Sequence, residues 1–221
     1  FAKVNVKIKE NNNDTLDLIY IIDTGDKALI KNIKFTGDKF YKDRKLRSVV
    51  VSEENKFWKF ISKKKYLDLN RIELDKRLLK NFYLNKGYYN VEIESSSAVF
   101  SDNYFELIYN INSGNKYFIN DAKLNLPVDY DPKDFVEVNK SIKKLKENKY
   151  SLNELNKVIK EIDKVSVSRL YDFIDATIEI DEIDGNKLNL IFTVIESDKF
   201  FVNRIDTVSY THLTLPTSWL V

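Results

Sequence analysis

Three stretches of the chain place apolar strand-like residues on either side of a short polar bend. Tyr20 to Asp23 runs through Thr24-Gly25-Asp26 into Ala28-Leu29-Ile30. Tyr109 to Asn112 runs through Ser113-Gly114-Asn115 into Tyr117-Phe118-Ile119, and Phe192 to Ile195 runs through Glu196-Ser197-Asp198 into Phe200-Phe201-Val202. Each predicts a strand, a tight turn and a second strand. From Gly25 to Gly114 is 89 positions and from Gly114 to Ser197 is 83, the spacing of small repeated domains that differ by one loop. With so few linking residues, neighbouring units are expected to be semi-rigidly related, with some hinge motion.

Within the first complete repeat, Leu29 to Thr36 alternates as a strand with Ile33 and Phe35 on one face, closed by Gly37-Asp38. Lys42 to Val51 predicts a short helix with Leu46, Val49 and Val50 as its apolar stripe, and a polar and aromatic stretch follows from Ser52 to Asp68. A second helix is expected from about Asn70, its cap, to Asn85, with Ile72, Leu74, Leu78, Leu79 and Phe82 at helical spacing and Lys86-Gly87 as a stop. Strands Tyr89 to Val99 (Val91 and Ile93 inward) and Tyr104 to Ile111 close the repeat, turning at Ser101-Asp102-Asn103.

The second repeat keeps that order: strand Tyr117 to Leu126, helix from Pro132 in its first turn to about Glu147, helix Ser151 to Arg169, strand Phe173 to Ile180, turn at Asp184-Gly185, strand Leu188 to Ile195. Phe1 to Ile8 and Thr15 to Ile22 then read as the last two strands of a preceding unit, and Val202 to Val208 as the start of a following one. The predicted fold class is α+β: tandem β-α-α-β-β repeats, each a three-stranded mixed sheet with two helices on one face. The divisions are 1–25, 26–114, 115–197 and 198–208, with a tail at 209–221.

Composition narrows the function classes. Apolar residues at 43% and aromatics at 13% of 221 residues are enough for ordinary cores. The 36 Lys and Arg nearly cancel 34 Asp and Glu, and the signs alternate, which describes a solvated surface and argues against a nucleic-acid footprint. Without Cys there is no disulfide, thiolate nucleophile or thiolate zinc site, and the chain suits either a reducing cytosol or an oxidising periplasm. No run approaches the roughly 20 apolar residues of a membrane-spanning helix. The tail from Val208 to Thr217 fits neither strand nor repeat and resembles translated sequencing-adapter read-through, so it is set aside. The only His, His212, lies within the tail 209–221, as does Trp219.

Three features resemble one family, the tandem POTRA (polypeptide-transport-associated) domains of outer-membrane β-barrel assembly proteins. They are the β-α-α-β-β order with the junction Tyr109-x-Ile111-x-x-Gly114-x-x-Tyr117-x-Ile119, the helix end Leu78 through Tyr89 with its Lys86-Gly87-Tyr88 turn, and the aromatic segment Phe57-Trp58-Lys59-Phe60 between the helices. The resemblance covers about Phe1 to Val208. It implies the end of a second domain, a whole third and fourth, and the start of a fifth. Leu170-Tyr171, where the family prefers Gly-Tyr, and Ser197 at a junction Gly depart from it.

No catalytic residue, cofactor or metal site is expected. There is no phosphate loop, nucleophile elbow or metal-ligand spacing, and the paired acids Glu53-Glu54 and Glu92 with Glu94 read as solvated surface. The resemblance places the strand Tyr89, Asn90, Val91, Glu92, Ile93, Glu94, Ser95, Ser96 at the sheet edge, where an extended peptide could add by backbone pairing; a plain edge guarded by Asn90, Glu92 and Glu94 competes with that reading. Phe57, Trp58 and Phe60 form a candidate partner-docking loop, with at least one ring expected to fold back onto the core. The function implied is a periplasmic scaffold that binds unfolded outer-membrane proteins and accessory lipoproteins, meeting the membrane only through a C-terminal barrel. Alternatives are the arm of a related translocation factor or two-partner secretion transporter, and a single-stranded RNA platform. The near-zero charge and the missing stacking motif argue against RNA.

Overall fold

Two β-α-α-β-β units follow one another in the computed structural model, which describes residues 3–11, 15–23, 28–58, 61–101, 104–169 and 174–196. Ahead of them stands a hairpin of β1 (Lys3–Asn11) and β2 (Thr15–Asp23). The first unit contains β3 (Leu29–Asp38), α1 (Asp43–Arg47), α2 (Leu69–Leu84), β4 (Glu92–Ser101) and β5 (Tyr104–Asn112). The second contains β6 (Phe118–Asn125), α3 (Val136–Leu145), α4 (Leu152–Arg169), β7 (Ile174–Ile183) and β8 (Lys187–Glu196). The expected strand opening a third unit at Val202 to Val208 lies outside the described residues, as does the turn at Asp102-Asn103.

Each sheet is mixed. The strand orders are β3-β5-β4 and β6-β8-β7, with the outer first strand parallel to the central one and the hairpin antiparallel. Both first strands shift register at the same place, after Ile30 and after Ile119. Alternation puts Ile33, Phe35, Leu107, Tyr109 and Ile111 on the face buried under α1 and α2, where Leu46, Ile72, Leu79 and Tyr83 meet them. In the second unit Leu188, Leu190, Phe192 and Val194 meet Val138, Ile142, Leu155, Val158 and Ile162.

Several boundaries differ from the sequence reading for local reasons. Helix α1 stops at Arg47 instead of reaching Val51, because the Val51 and Ser52 amides donate to the Asp75 carboxylate and leave the helical ladder. Helix α2 is capped by Asp68, whose Oδ1 accepts the Arg71 amide at 3.0 Å, so Asn70 is helical rather than the cap. Leu74 faces out at 36% exposure, and the inward position beside it belongs to Asp75. Pro132 sits in a turn ahead of α3, accepting from Phe135, and α3 ends at Leu145 because the Glu147 amide turns back to Ile119 of β6.

Gly37 and Asp38 are the last two residues of β3, and Gly37 still pairs with Ile111. Its φ is +83°, and a Cβ there would sit 2.4 Å from the Ile111 carbonyl oxygen. Gly37→Ala should therefore cost about 2 kcal/mol, from left-handed strain plus backbone displacement. An unchanged thermal midpoint would contradict the assigned backbone.

In the β1–β2 ribbon, Val4 opposes Ile22, Val6 opposes Tyr20 and Ile8 opposes Leu18, so three successive pairs on one face are apolar, and all six side chains are exposed. At the 89-residue repeat, Leu18, Tyr20 and Ile22 correspond to Leu107, Tyr109 and Ile111, all buried beneath helices.

Candidate functional site

The described residues of segment 48–68, between α1 and α2, bond to the backbone along the first half of the outer edge of β3. The Leu67 amide donates to the Ala28 carbonyl and the Asn55 amide to the Ile30 carbonyl. The Ile33 amide donates to Glu54 Oε1 at 3.2 Å, and Arg47 donates to the Ile33 carbonyl at 2.8 Å. Glu54 also pairs with Arg47 and Lys56. The acid pair read as solvated surface is therefore structural: Glu54 supplies an acceptor that the edge strand lacks, and Glu53 accepts from Ser62.

Beneath the segment, Asp75 is completely buried. Its Oδ1 accepts from the Val51 amide at 2.5 Å, and its Oδ2 from the Ser52 amide at 3.2 Å and the Tyr109 hydroxyl at 2.7 Å. Burial, and then the Asp75 carboxylate, push the Tyr109 hydroxyl well above its usual pKa, so it stays a proton donor. Sequence reading missed this hub. The available signal was in the repeats, since Asp75 and Tyr109 correspond to Val158 and Phe192 at the 83-residue offset.

At the crest of the segment, Phe57 and Trp58 are 88% and 60% exposed. Their rings meet edge to face at 4.5 Å, with the Lys56 ammonium 5.6 Å from the Trp58 ring and Ile61 also exposed. Neither ring folds back onto the core; Phe60 lies outside the described residues. Two adjoining exposed aromatics under a cation form a surface suited to a partner.

The other sheet edge is β4. It begins at Glu92, three residues later than expected, because Tyr89, Asn90 and Val91 have other partners. Val91 is buried, whereas Tyr89 and Asn90 belong to the joint between units. Glu92, Ile93, Glu94, Ser95 and Ser96 do form the edge strand, with Glu92, Glu94 and Ser96 exposed. Among the described residues, no hydrogen bond outside the β4–β5 ladder reaches these five.

The joint is built from the residues 85–90 that end α2 and precede β4. Asn85 Oδ1 accepts from the Asn153 amide at 2.7 Å and from the Ser151 hydroxyl at 3.2 Å, so one unit caps a helix of the next. The Tyr117 amide donates to the Gly87 carbonyl, and Tyr89 packs edge-on against Tyr117 and Tyr150. Asn90 donates to Tyr117 Oη at 2.9 Å and to Glu182 at 3.2 Å, and the Tyr117 hydroxyl donates to Glu182.

That last bond, with help from Asn90, holds the Glu182 carboxyl below its ordinary 4.5, and it raises the Tyr117 hydroxyl above 10.0. A depressed carboxyl stabilises fully above its unfolded value and ceases to as pH falls through the lower folded one. The joint should thus hold down to about pH 4.5 and loosen below it. The Asn90 side-chain amide resonance, followed from pH 6 to 3, should move only in that acid range and lose the transition in Glu182→Gln. A transition that survives in Glu182→Gln would assign it to another group.

Among the described residues no cluster of acids or His converges to hold a metal ion, and no helix is long and apolar enough to cross a membrane.

The POTRA family profile, described as a surface antigen variable number repeat, matches residues 28–114. The chain is 29% identical over 112 residues to the outer membrane protein assembly factor BamA of Neorickettsia risticii, spanning 51% of this chain and 15% of that protein. It is 26% identical over 91 residues to BamA of Neisseria meningitidis, spanning 41% and 11%. The fold matches POTRA domains 3–5 of Haemophilus influenzae BamA with a TM-score of 0.57 at 12% identity, covering 88% of this chain and 72% of that one. It matches Haemophilus ducreyi BamA lacking POTRA domains 1–3 with a TM-score of 0.56 at 8% identity, covering 76% and 29%. Residues 28–114 thus match the POTRA family, and the fold of the chain is similar to that of consecutive POTRA domains in BamA proteins.

Proposed function

We propose that the chain is part of a periplasmic arm of an outer-membrane protein, where it acts as a non-catalytic scaffold for β-barrel assembly. In this reading unfolded outer-membrane proteins add a strand to β4, and an accessory lipoprotein docks on Phe57 and Trp58. The observation that favours strand addition at β4 is the asymmetry of the first sheet. Segment 48–68, with Arg47 of α1, occupies outer backbone groups at Ala28, Ile30 and Ile33, along the first half of β3, while Glu92 to Ser96 make no hydrogen bond beyond the ladder to β5 among the described residues. An incoming extended strand can satisfy such an edge with little demand on its own sequence, which suits varied barrel strands.

The β1–β2 ribbon is, in the same reading, the closing hairpin of a preceding unit, residues 198–208 open a following one, and 209–221 stand outside the repeat. The helices of that preceding unit would cover the apolar ribbon face.

Photo-crosslinking tests the edge. With the crosslinker at Glu94, an unfolded barrel precursor should be captured; at Lys31, in the covered half of strand β3, it should not. Equal capture from both positions would remove the reading.

A further inference from the structure

The two units solve one core position differently. Asp75 and Tyr109 are buried in the first, and their counterparts Val158 and Phe192 are equally buried in the second. The polar pair occurs where the helices are joined by residues 48–68, and the apolar pair where 146–151 suffice. A buried carboxylate is costly unless its lone pairs are filled. Here they are filled by two amides of the long segment and by the Tyr109 hydroxyl. The first unit therefore spends an inward helix position on gripping the segment at its root, about six residues before Phe57-Trp58 in sequence.

The geometry points to Asp75 as a positioning residue for the docking loop, with Tyr109 orienting its carboxylate: the pair fixes the root of segment 48–68 and so presents Phe57 and Trp58. This rests on the docking reading of those rings. It also distinguishes the units, because the second has the sheet and both helices but no long segment to hold.

The exchange Asp75→Val with Tyr109→Phe, which installs the second unit's pair in the full chain, tests this. Amide hydrogen exchange should speed up at Val51, Ser52 and Asn55 by tenfold or more, while α2 and β5 keep their protection. In a Trp219→Phe background the emission anisotropy of Trp58 should fall. Asp75→Asn, which keeps one oxygen acceptor, should restore part of the protection. The converse exchange, Val158→Asp with Phe192→Tyr, should lower the thermal midpoint of the second unit, where no loop amides wait for the carboxylate. Protection lost evenly across the first unit would show a merely structural role, and unchanged exchange at Val51 and Ser52 would refute the grip. A converse exchange tolerated without loss would sever the link between pair and loop. None of these readouts needs a partner, so they are separate from the docking reading, which Trp58→Ala tests.

Discussion

Replacing Asp75 by alanine is expected to be among the most damaging single changes in the first unit, lowering its stability by about 3 kcal/mol or more. The change leaves the Val51 amide, the Ser52 amide and the Tyr109 hydroxyl without their acceptor in a buried place, and each stranded donor costs about 1–3 kcal/mol. Loss of the side chain adds a cavity. Against a net domain stability of about 5–15 kcal/mol this is a large fraction. The corresponding fall in thermal midpoint for a domain of this size is about 12 °C or more. Tyr109→Phe should cost much less, about 1 kcal/mol, because the carboxylate keeps both amides. A calorimetric melt in which Asp75→Ala falls no further than Tyr109→Phe would show that the hub contributes little.

Trp58→Ala should do the opposite. The ring is mostly exposed and touches Phe57 and Lys56 rather than the core, so the thermal midpoint should stay within the range of an ordinary surface substitution, about 0.5 kcal/mol. Affinity for the docked lipoprotein should fall about 30-fold, the loss of a hot-spot side chain worth about 2 kcal/mol. Binding measured by titration calorimetry on the full chain, together with a melt, separates the outcomes. A large fall in midpoint with unaltered affinity would return Trp58 to the core.

The repeat made the architecture legible. Spacings of 89 and 83, with alternation on either side of each bend, led to the element order, the pairing and most of the inward residues. The core of α2 was less legible because Ile72, Leu74, Leu78 and Phe82 supply an apolar pattern that hides a buried acid between them. Pattern reading counts apolar residues, and Asp75 is inward for a reason located far away in sequence, at Val51, Ser52 and Tyr109. Comparing the repeats position by position would have exposed it, since Asp75 and Tyr109 are replaced together by Val158 and Phe192 in the second unit.

The candidate edge was legible in part. Alternation correctly placed Glu92 and Glu94 outward, but it could not reveal that Tyr89 and Asn90 are committed to residues of the next unit, because Tyr117, Tyr150 and Glu182 are distant in sequence. Nor could it show that the first half of the opposite edge is covered. A loop reads as polar and aromatic whether it projects into solvent or lies along a strand, and the bonds from Glu54 and Asn55 to β3 decide between the two. Those bonds cover the first half of β3, whereas Glu92 to Ser96 of β4 have no partner beyond their ladder among the described residues.

Titration of the isotopically labelled chain with an extended peptide from an outer-membrane barrel strand tests the central claim most directly. Strand addition at β4 predicts amide shift changes and new exchange protection along Glu92 to Ser96, with Ile30 and Ile33 of β3 unaffected. Changes scattered over α1 and α2, with none along Glu92 to Ser96, would contradict it.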